Sequence, residues 1–282
     1  MNGLIVTADD FGQAAEVNAA VMIAHRDGIL TAASLMVGAP AFADAVALAH
    51  ATPTLGVGLH LTLVDGVPVL PPGDVPDLID AQGRFRDDMV RAGVAFAFSG
   101  RVRAQLEAEI TAQFEGFAAT GLRLDHVNAH KHFHLHPVIA ALVVRIGQRF
   151  GMRSVRAPIE PAGVLRTAEP GASVGADVAT PWALLMRRQL RRAGLLVPDA
   201  VFGLRWSGHM TPTRVAALID ALPPGLNEIY LHPATSDSFA GHGPGYAHVN
   251  ELAALTDPAV RAAAAKRQLG SFADFTSERL AA

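Results

Sequence analysis

Two carboxylates stand side by side at Asp9-Asp10, just past the apolar run Leu4-Ile5-Val6-Thr7. A single Asp before a helix is commonly an N-cap. Two adjacent Asp exceed what capping needs. Held close together they repel, unless a cation or a proton lies between them. A metal ligand beside a general base is the economical use of such a pair. The densest local signal is Asp125-His126-Val127-Asn128-Ala129-His130-Lys131-His132-Phe133-His134-Leu135-His136, where five of the chain's 12 histidines fall within eleven positions. His130, His132, His134 and His136 would share one side of an extended segment, whereas His126, His130 and His134 would align at helical spacing. Both geometries are open at the level of sequence. A catalytic divalent metal takes about three protein ligands, so most of these histidines must support ligands, bind substrate or hold structure. His60 ends the run Gly56-Val57-Gly58-Leu59-His60, and His232 ends Glu228-Ile229-Tyr230-Leu231 before Pro233. A lone His after an apolar run is more often a hydrogen-bonded core residue than a ligand. An edge shared with Asp10 favours the ligand for His60, and His232 is placed to protonate a leaving group. Arg156, after Ser154-Val155, either pairs with the Asp9 carboxylate and holds it ionised or is an ordinary surface cation. Metal, Asp and His together point to metal-assisted hydrolysis. There is no GxSxG elbow with partners, no P-loop and no GxGxxG. With no cysteine, thiolate catalysis and thiolate zinc sites are excluded.

Short apolar strands alternating with helical patterns must position these residues. Leu4–Thr7, Ser34–Val37, Gly56–His60, Leu122–Val127, Ser154–Arg156 and Glu228–His232 read as strands. Val17, Val21 and Ala24 mark the first helix. Leu106, Ile110, Phe114 and Phe117 mark another over 105–119, and Pro137 opens a third that runs to about Phe150. This rhythm predicts a parallel sheet with right-handed crossovers. The fold expected is a TIM-barrel-like (β/α) barrel of seven or eight parallel strands, with the site residues on its C-terminal rim. One domain over 1–282 is expected, interrupted by Gly/Pro-rich insertions at about 64–100 and 159–205.

The composition fits an enzyme of this kind. Half of the 282 residues are hydrophobic, 17% are charged and the net charge is −3, which excludes a disordered chain. No basic stripe is present, so nucleic acid is not an expected partner. MNGLIVTADD reads as a first strand rather than a signal peptide, and no apolar stretch reaches the length of a membrane span. A cytoplasmic location is expected.

The segments LIVTADDFG, GLHLTL around His60, DHVNAHKHFH and YLHP occur in an order and spacing that resemble the YdjC-like carbohydrate deacetylase family over nearly the whole chain. DHVNAHKHFHLHP, with HRDGILTAASLMV, is most similar to the branch associated with hopanoid biosynthesis. The resemblance implies a barrel-like fold and metal-dependent removal of acetyl from an N-acetylated sugar. It implies a metal triad of Asp10, His60 and His130, a general base at Asp9 and a general acid at His232. Asn128, His132 and His134 are then left to bind substrate. The family often has Asp-Ser where this chain has Asn128-Ala129, and Asn128 can hydrogen-bond but cannot act as a carboxylate. One divalent ion is implied, Zn²⁺ by preference, with Mg²⁺, Mn²⁺ or Ni²⁺ as alternatives. The branch implies an N-acetylglucosamine head on a polycyclic lipid, with peripheral contact at the inner membrane face, and a homodimer is compatible with it. Met89–Phe98 and Leu184-Leu185-Met186 would then form an apolar lip near the site, or else ordinary helix cores. Arg187, Arg188, Arg191 and Arg192 would meet anionic headgroups, or form a solvated helix face. Competing readings are a deacetylase of soluble chito-oligosaccharides, a phosphoester hydrolase and a sugar-binding module without catalysis. Few Lys or Arg lie near the rim motifs, which disfavours a phosphate substrate. An inactive module would need no Asp9.

Overall fold

A computed structural model describes residues 2–171 and 180–281. Among the described residues seven strands pair in parallel: β1 (Asn2–Phe11), β2 (Ala32–Leu35), β3 (Gly56–Leu61), β4 (Val127–Ala129), β5 (Ala200–Phe202), β6 (Gly225–Leu231) and β7 (Gln268–Leu269). Six of them follow the order β4-β3-β2-β1-β6-β5, and β7 joins β1 at Gly3 and Leu4, below the stretch where β2 pairs. The sheet is curled, with the character of a distorted barrel. Between β4 and β5 stands the segment 153–159, which forms isolated bridges rather than a regular strand. Val127 N donates to Ser154 O at 3.0 Å, Val155 N to Leu196 O at 3.0 Å and Val201 N to Ile159 O at 2.9 Å. The expected strand at 122–127 begins only at Val127, although Asp125 N already donates to Val57 O at 3.0 Å.

The central strands are buried on both faces, as near-continuous apolar runs require. Helices cover the outside. Ala15–Asp27 turns Val17, Val21 and Ala24 inward, and Pro137–Arg149 starts on its N1 proline and buries Ile139, Val143 and Ile146. The Gly/Pro-rich stretch after β3 is packed rather than loose, since Val64, Val75, Leu78, Ile79 and Phe85 all reach the core. Two buried polar residues of the helix Gly100–Ala119 tie it down. Glu109 accepts from the backbone N–H of Val69 and Leu70, and the Gln113 amide both accepts from Thr62 N and donates to Thr62 O. Met89–Phe98 is a helix that buries Phe96 and leaves Val90, Val94 and Phe98 exposed. The basic helix is Thr180–Arg192. It buries Ala183, Met186 and Leu190 and exposes Trp182, Leu184 and Leu185. Arg187 and Arg191 fold back on Asp199, while Arg188 and Arg192 face solvent. Positions 172–179 of the second insertion lie outside the described residues. Among the described residues, no helix is long and apolar enough to cross a membrane.

Candidate metal centre and active site

In a regular strand Asp9 and Asp10 would point to opposite faces. The β1–β2 register slips between Ala8 and Phe11, and Asp10 takes φ = 64°. This bulge re-aims the chain, and both carboxylates line one cavity. A comparable device shapes the His-rich segment. His130–Leu135 is a tight helical stretch broken by Lys131 (φ = 51°) and His132 (φ = 54°). Neither of the two regular spacings open to the sequence is realised, and the histidines diverge. His130 reaches Asp10, His132 reaches Tyr230, and His134 reaches the Arg156 carbonyl.

Asp10 Oδ1 lies 3.2 Å from His60 Nε2 and 3.1 Å from His130 Nδ1, and the two ring nitrogens are 3.4 Å apart. Asn128 fixes the His60 tautomer. Its amide nitrogen donates to Asp9 and Ser34, so its oxygen accepts from His60 Nδ1–H at 2.6 Å. Nε2 of a neutral His60 therefore presents a lone pair to the Asp10 carboxylate. Burial opposes charge on both groups. Even so, the neighbouring histidines hold Asp10 well below the usual carboxylate range, and Asp9 and Asp10 raise the proton affinity of His60. A field that attracts a proton this strongly also attracts a divalent cation. One carboxylate oxygen and two imidazole nitrogens converge within 4.8 Å of one another, which fits the donor set of such an ion.

Asp9 occupies a denser cluster. Arg156 has no exposed surface and donates to Asp9 through both terminal nitrogens, at 2.5 and 3.0 Å. The same guanidinium donates to Glu228 Oε1 at 2.6 and 3.0 Å, and its carbon lies 4.4 Å from the Tyr230 ring centroid. Ser34 and Asn128 add donors to Asp9 Oδ1, each at 3.0 Å. Burial would raise the Asp9 carboxyl, but the Arg156 charge outweighs it and holds Asp9 ionised. Oδ1 thus takes three donors and Oδ2 one, so the open lone pair is on Oδ2.

The cavity has a volume of about 500 Å³, and its wall includes Asp9, His60, His132, Tyr230, His232 and Tyr246. Two residues expected against substrate are elsewhere. Asn128 is fully buried with its amide spent on His60, Asp9 and Ser34, and His134 lies behind the wall, where burial lowers its pKa to about 4. His132 does line the cavity, and its Nδ1 has no protein partner. His232 also lines it; its Nδ1 makes no hydrogen bond and lies 3.9 Å from Glu251 Oε2, and burial lowers its proton affinity. Glu251 accepts the backbone N–H of His232 at 2.5 Å and that of Met210 at 3.1 Å. Ser34, Glu228, Glu251 and His248, which lines the cavity with its Nδ1 2.6 Å from the His232 carbonyl oxygen, escape sequence reasoning. Glu228 carries a signal all the same, because a carboxylate inside an apolar strand must find a cation.

A family model described as YdjC-like protein matches residues 3–266. The chain belongs to the YdjC-like family. A carbohydrate deacetylase of Brevibacillus brevis is 32% identical to this YdjC-like chain over 259 residues, covering 90% of each. One of Geobacillus stearothermophilus is 34% identical over 276 residues, covering 96% of this chain and 97% of the relative. Among solved structures, a candidate cellobiose-phosphate cleavage protein of Enterococcus faecalis V583 superposes with a TM-score of 0.76 at 23% identity. The match covers 97% of this chain and 98% of that one, and it shows a shared fold.

Proposed function

We propose that this YdjC-like chain is a metal-dependent carbohydrate deacetylase that hydrolyses the N-acetyl group of an N-acetylglucosamine unit. The observation that carries this reading is the convergence of Asp10, His60 and His130 beside an ionised Asp9, on the wall of a cavity of about 500 Å³. The two long matches are both carbohydrate deacetylases. Asp10, His60 and His130 would hold a divalent ion, which would supply Lewis-acid polarisation of the acetyl carbonyl and a more acidic water. Asp9 Oδ2 accepts the proton of the attacking water as the carbon–oxygen bond forms. Arg156 keeps that carboxylate ionised and in place. His232 donates a proton to the nitrogen as the carbon–nitrogen bond breaks, which gives acetate and a free amine. Burial disfavours the imidazolium of His232 and so makes it a stronger acid once formed. Oxygen and imidazole donors suit Zn²⁺, with Mg²⁺, Mn²⁺ or Ni²⁺ as alternatives. Asp9→Asn is expected to keep bound metal and lose turnover on the order of 100-fold or more, whereas His60→Ala loses the metal. Metal content and acetate release measured on both variants test this, and equal metal loss in both would overturn the roles assigned.

The finer reading is a lipid-linked sugar, an acetylglucosaminyl hopanoid met at the membrane surface. Its support is the exposed apolar set Val90, Val94 and Phe98 together with Trp182 and Leu185. The first helix packs Phe96 against Phe133 and His136 of the His-rich segment, and the second helix also contacts that segment. Acetate release from soluble oligosaccharide but not from the glycolipid would remove this reading and leave the deacetylase standing.

A further inference from the structure

Ser34 is wholly buried on β2 and joins three side chains. Its Oγ lies 3.0 Å from Asp9 Oδ1, 2.8 Å from Asn128 Nδ2 and 2.9 Å from His126 Nε2. His126 has no exposed surface, and its Nδ1 donates to Asp125 Oδ2 at 2.9 Å. Asp125 in turn accepts the backbone N–H of Phe272 at 3.3 Å and of Ala273 at 2.8 Å, in the first turn of the helix Phe272–Ala281. The His126 ring stacks on Phe272, with centroids 4.3 Å apart and planes at 20°. Asp125 lies beside Gly56, the first residue of β3, at the end of the sheet opposite Asp10. A continuous column of hydrogen bonds therefore crosses the molecule from the last helix to Asp9. None of Ser34, His126 and Asp125 has a part in the chemistry above.

A packed core has little reason to carry such a column. Burying an imidazole, a hydroxyl and a carboxylate costs free energy that a phenyl ring at 126 would avoid. β3 approaches this residue closely at a glycine: a Cβ on Gly58 would stand 2.5 Å from both the His126 ring and the His126 carbonyl oxygen. We propose that Asp125, His126 and Ser34 are positioning residues for Asp9, a proposal that rests on reading Asp9 as the base. Asp125 sets the rotamer of His126, and His126 Nε2–H donates to Ser34 Oγ, which leaves the single Ser34 proton for Asp9 Oδ1. Ser34, with Asn128 and Arg156, saturates Asp9 Oδ1. The carboxylate is thereby held so that Oδ2 alone is left for the attacking water.

The test is a double-mutant cycle read in kcat and KM, on metal-loaded protein with thermal unfolding and metal content measured in parallel. Ser34→Ala and His126→Phe should each lower kcat about tenfold, with KM unchanged. Because His126 acts through Ser34, the double variant should fall no further than Ser34→Ala. His126→Gln, which carries an amide where Nε2 was, should recover most of the loss. Multiplied losses in the double variant, losses that follow the unfolding temperature, or wild-type kcat in Ser34→Ala would each overturn the proposal. A wild-type chain that releases no acetate sinks the deacetylase reading instead, and the column is then read without activity. In protein labelled with ¹⁵N-histidine, the His126 ring signals should move in both Ser34→Ala and Asp9→Asn. Signals unmoved by Asp9→Asn would show that the column does not reach the carboxylate.

Discussion

Arg156 bears its charge with no exposed surface, between the carboxylates of Asp9 and Glu228. Its planar fork serves both at once, and the point charge of a lysine cannot. Arg156→Lys should fold and lose kcat on the order of 100-fold, because Asp9 is then free to turn. Arg156→Met leaves two buried carboxylates facing each other and should cost about 3–5 kcal/mol in denaturant unfolding. Glu251 offers a pH test. Burial pushes its carboxyl up to about 7 from an ordinary value of 4.5, against the backbone N–H groups that favour its charged form. The folded chain therefore binds the Glu251 proton more tightly than the unfolded chain does. Its contribution to stability is greatest below the unfolded value and falls as pH rises toward the folded one. Wild-type stability relative to Glu251→Gln should drop by about 2 kcal/mol between about pH 5 and pH 7. A constant difference across that range would show that Glu251 is not shifted.

At the scale of elements, β1, β3 and β6 were legible because they are apolar runs buried on both faces, whereas β5 and β7, three and two residues long, were not. Asp10 and His60 stood out because they lie at the ends of apolar strands, whereas His130 was singled out within its cluster only by the family resemblance. Direction was not legible. Whether Asp9 and Asp10 face one cavity depends on a bulge and a left-handed Asp10, and neither leaves a mark in the pattern of apolar residues. The His-rich segment failed both regular spacings for the same reason, since Lys131 and His132 turn left-handed within it. Asn128 looked like a substrate contact because its partners Ser34 and Asp9 are distant in the chain. Gly58 tests an element directly. Alanine there would press on both the His126 ring and its carbonyl oxygen and should cost about 1–3 kcal/mol of stability. Thermal unfolding checks it, and an unchanged melting temperature would mean that β3 has slack beside His126.

Across the whole molecule, the Asp9 and Asp10 carboxylates are held from both ends of the sheet. The His-rich segment and the 153–156 stretch close over the top, and the helix Phe272–Ala281 reaches Asp125 from below. A divalent ion that binds only the folded chain should raise the unfolding temperature and make it depend on metal concentration. Chelation should reverse this, and the His60→Ala variant should show no such response. The most direct measurement of the central claim is acetate release from a chito-oligosaccharide and from an N-acetylglucosaminyl lipid by the purified chain, before chelation, after it, and again with Zn²⁺, Mg²⁺, Mn²⁺ or Ni²⁺ restored. Release that stops with the chelator and returns with the ion is the predicted result. Release undiminished in chelator, or none with any of the four metals, would contradict a metal-dependent deacetylase.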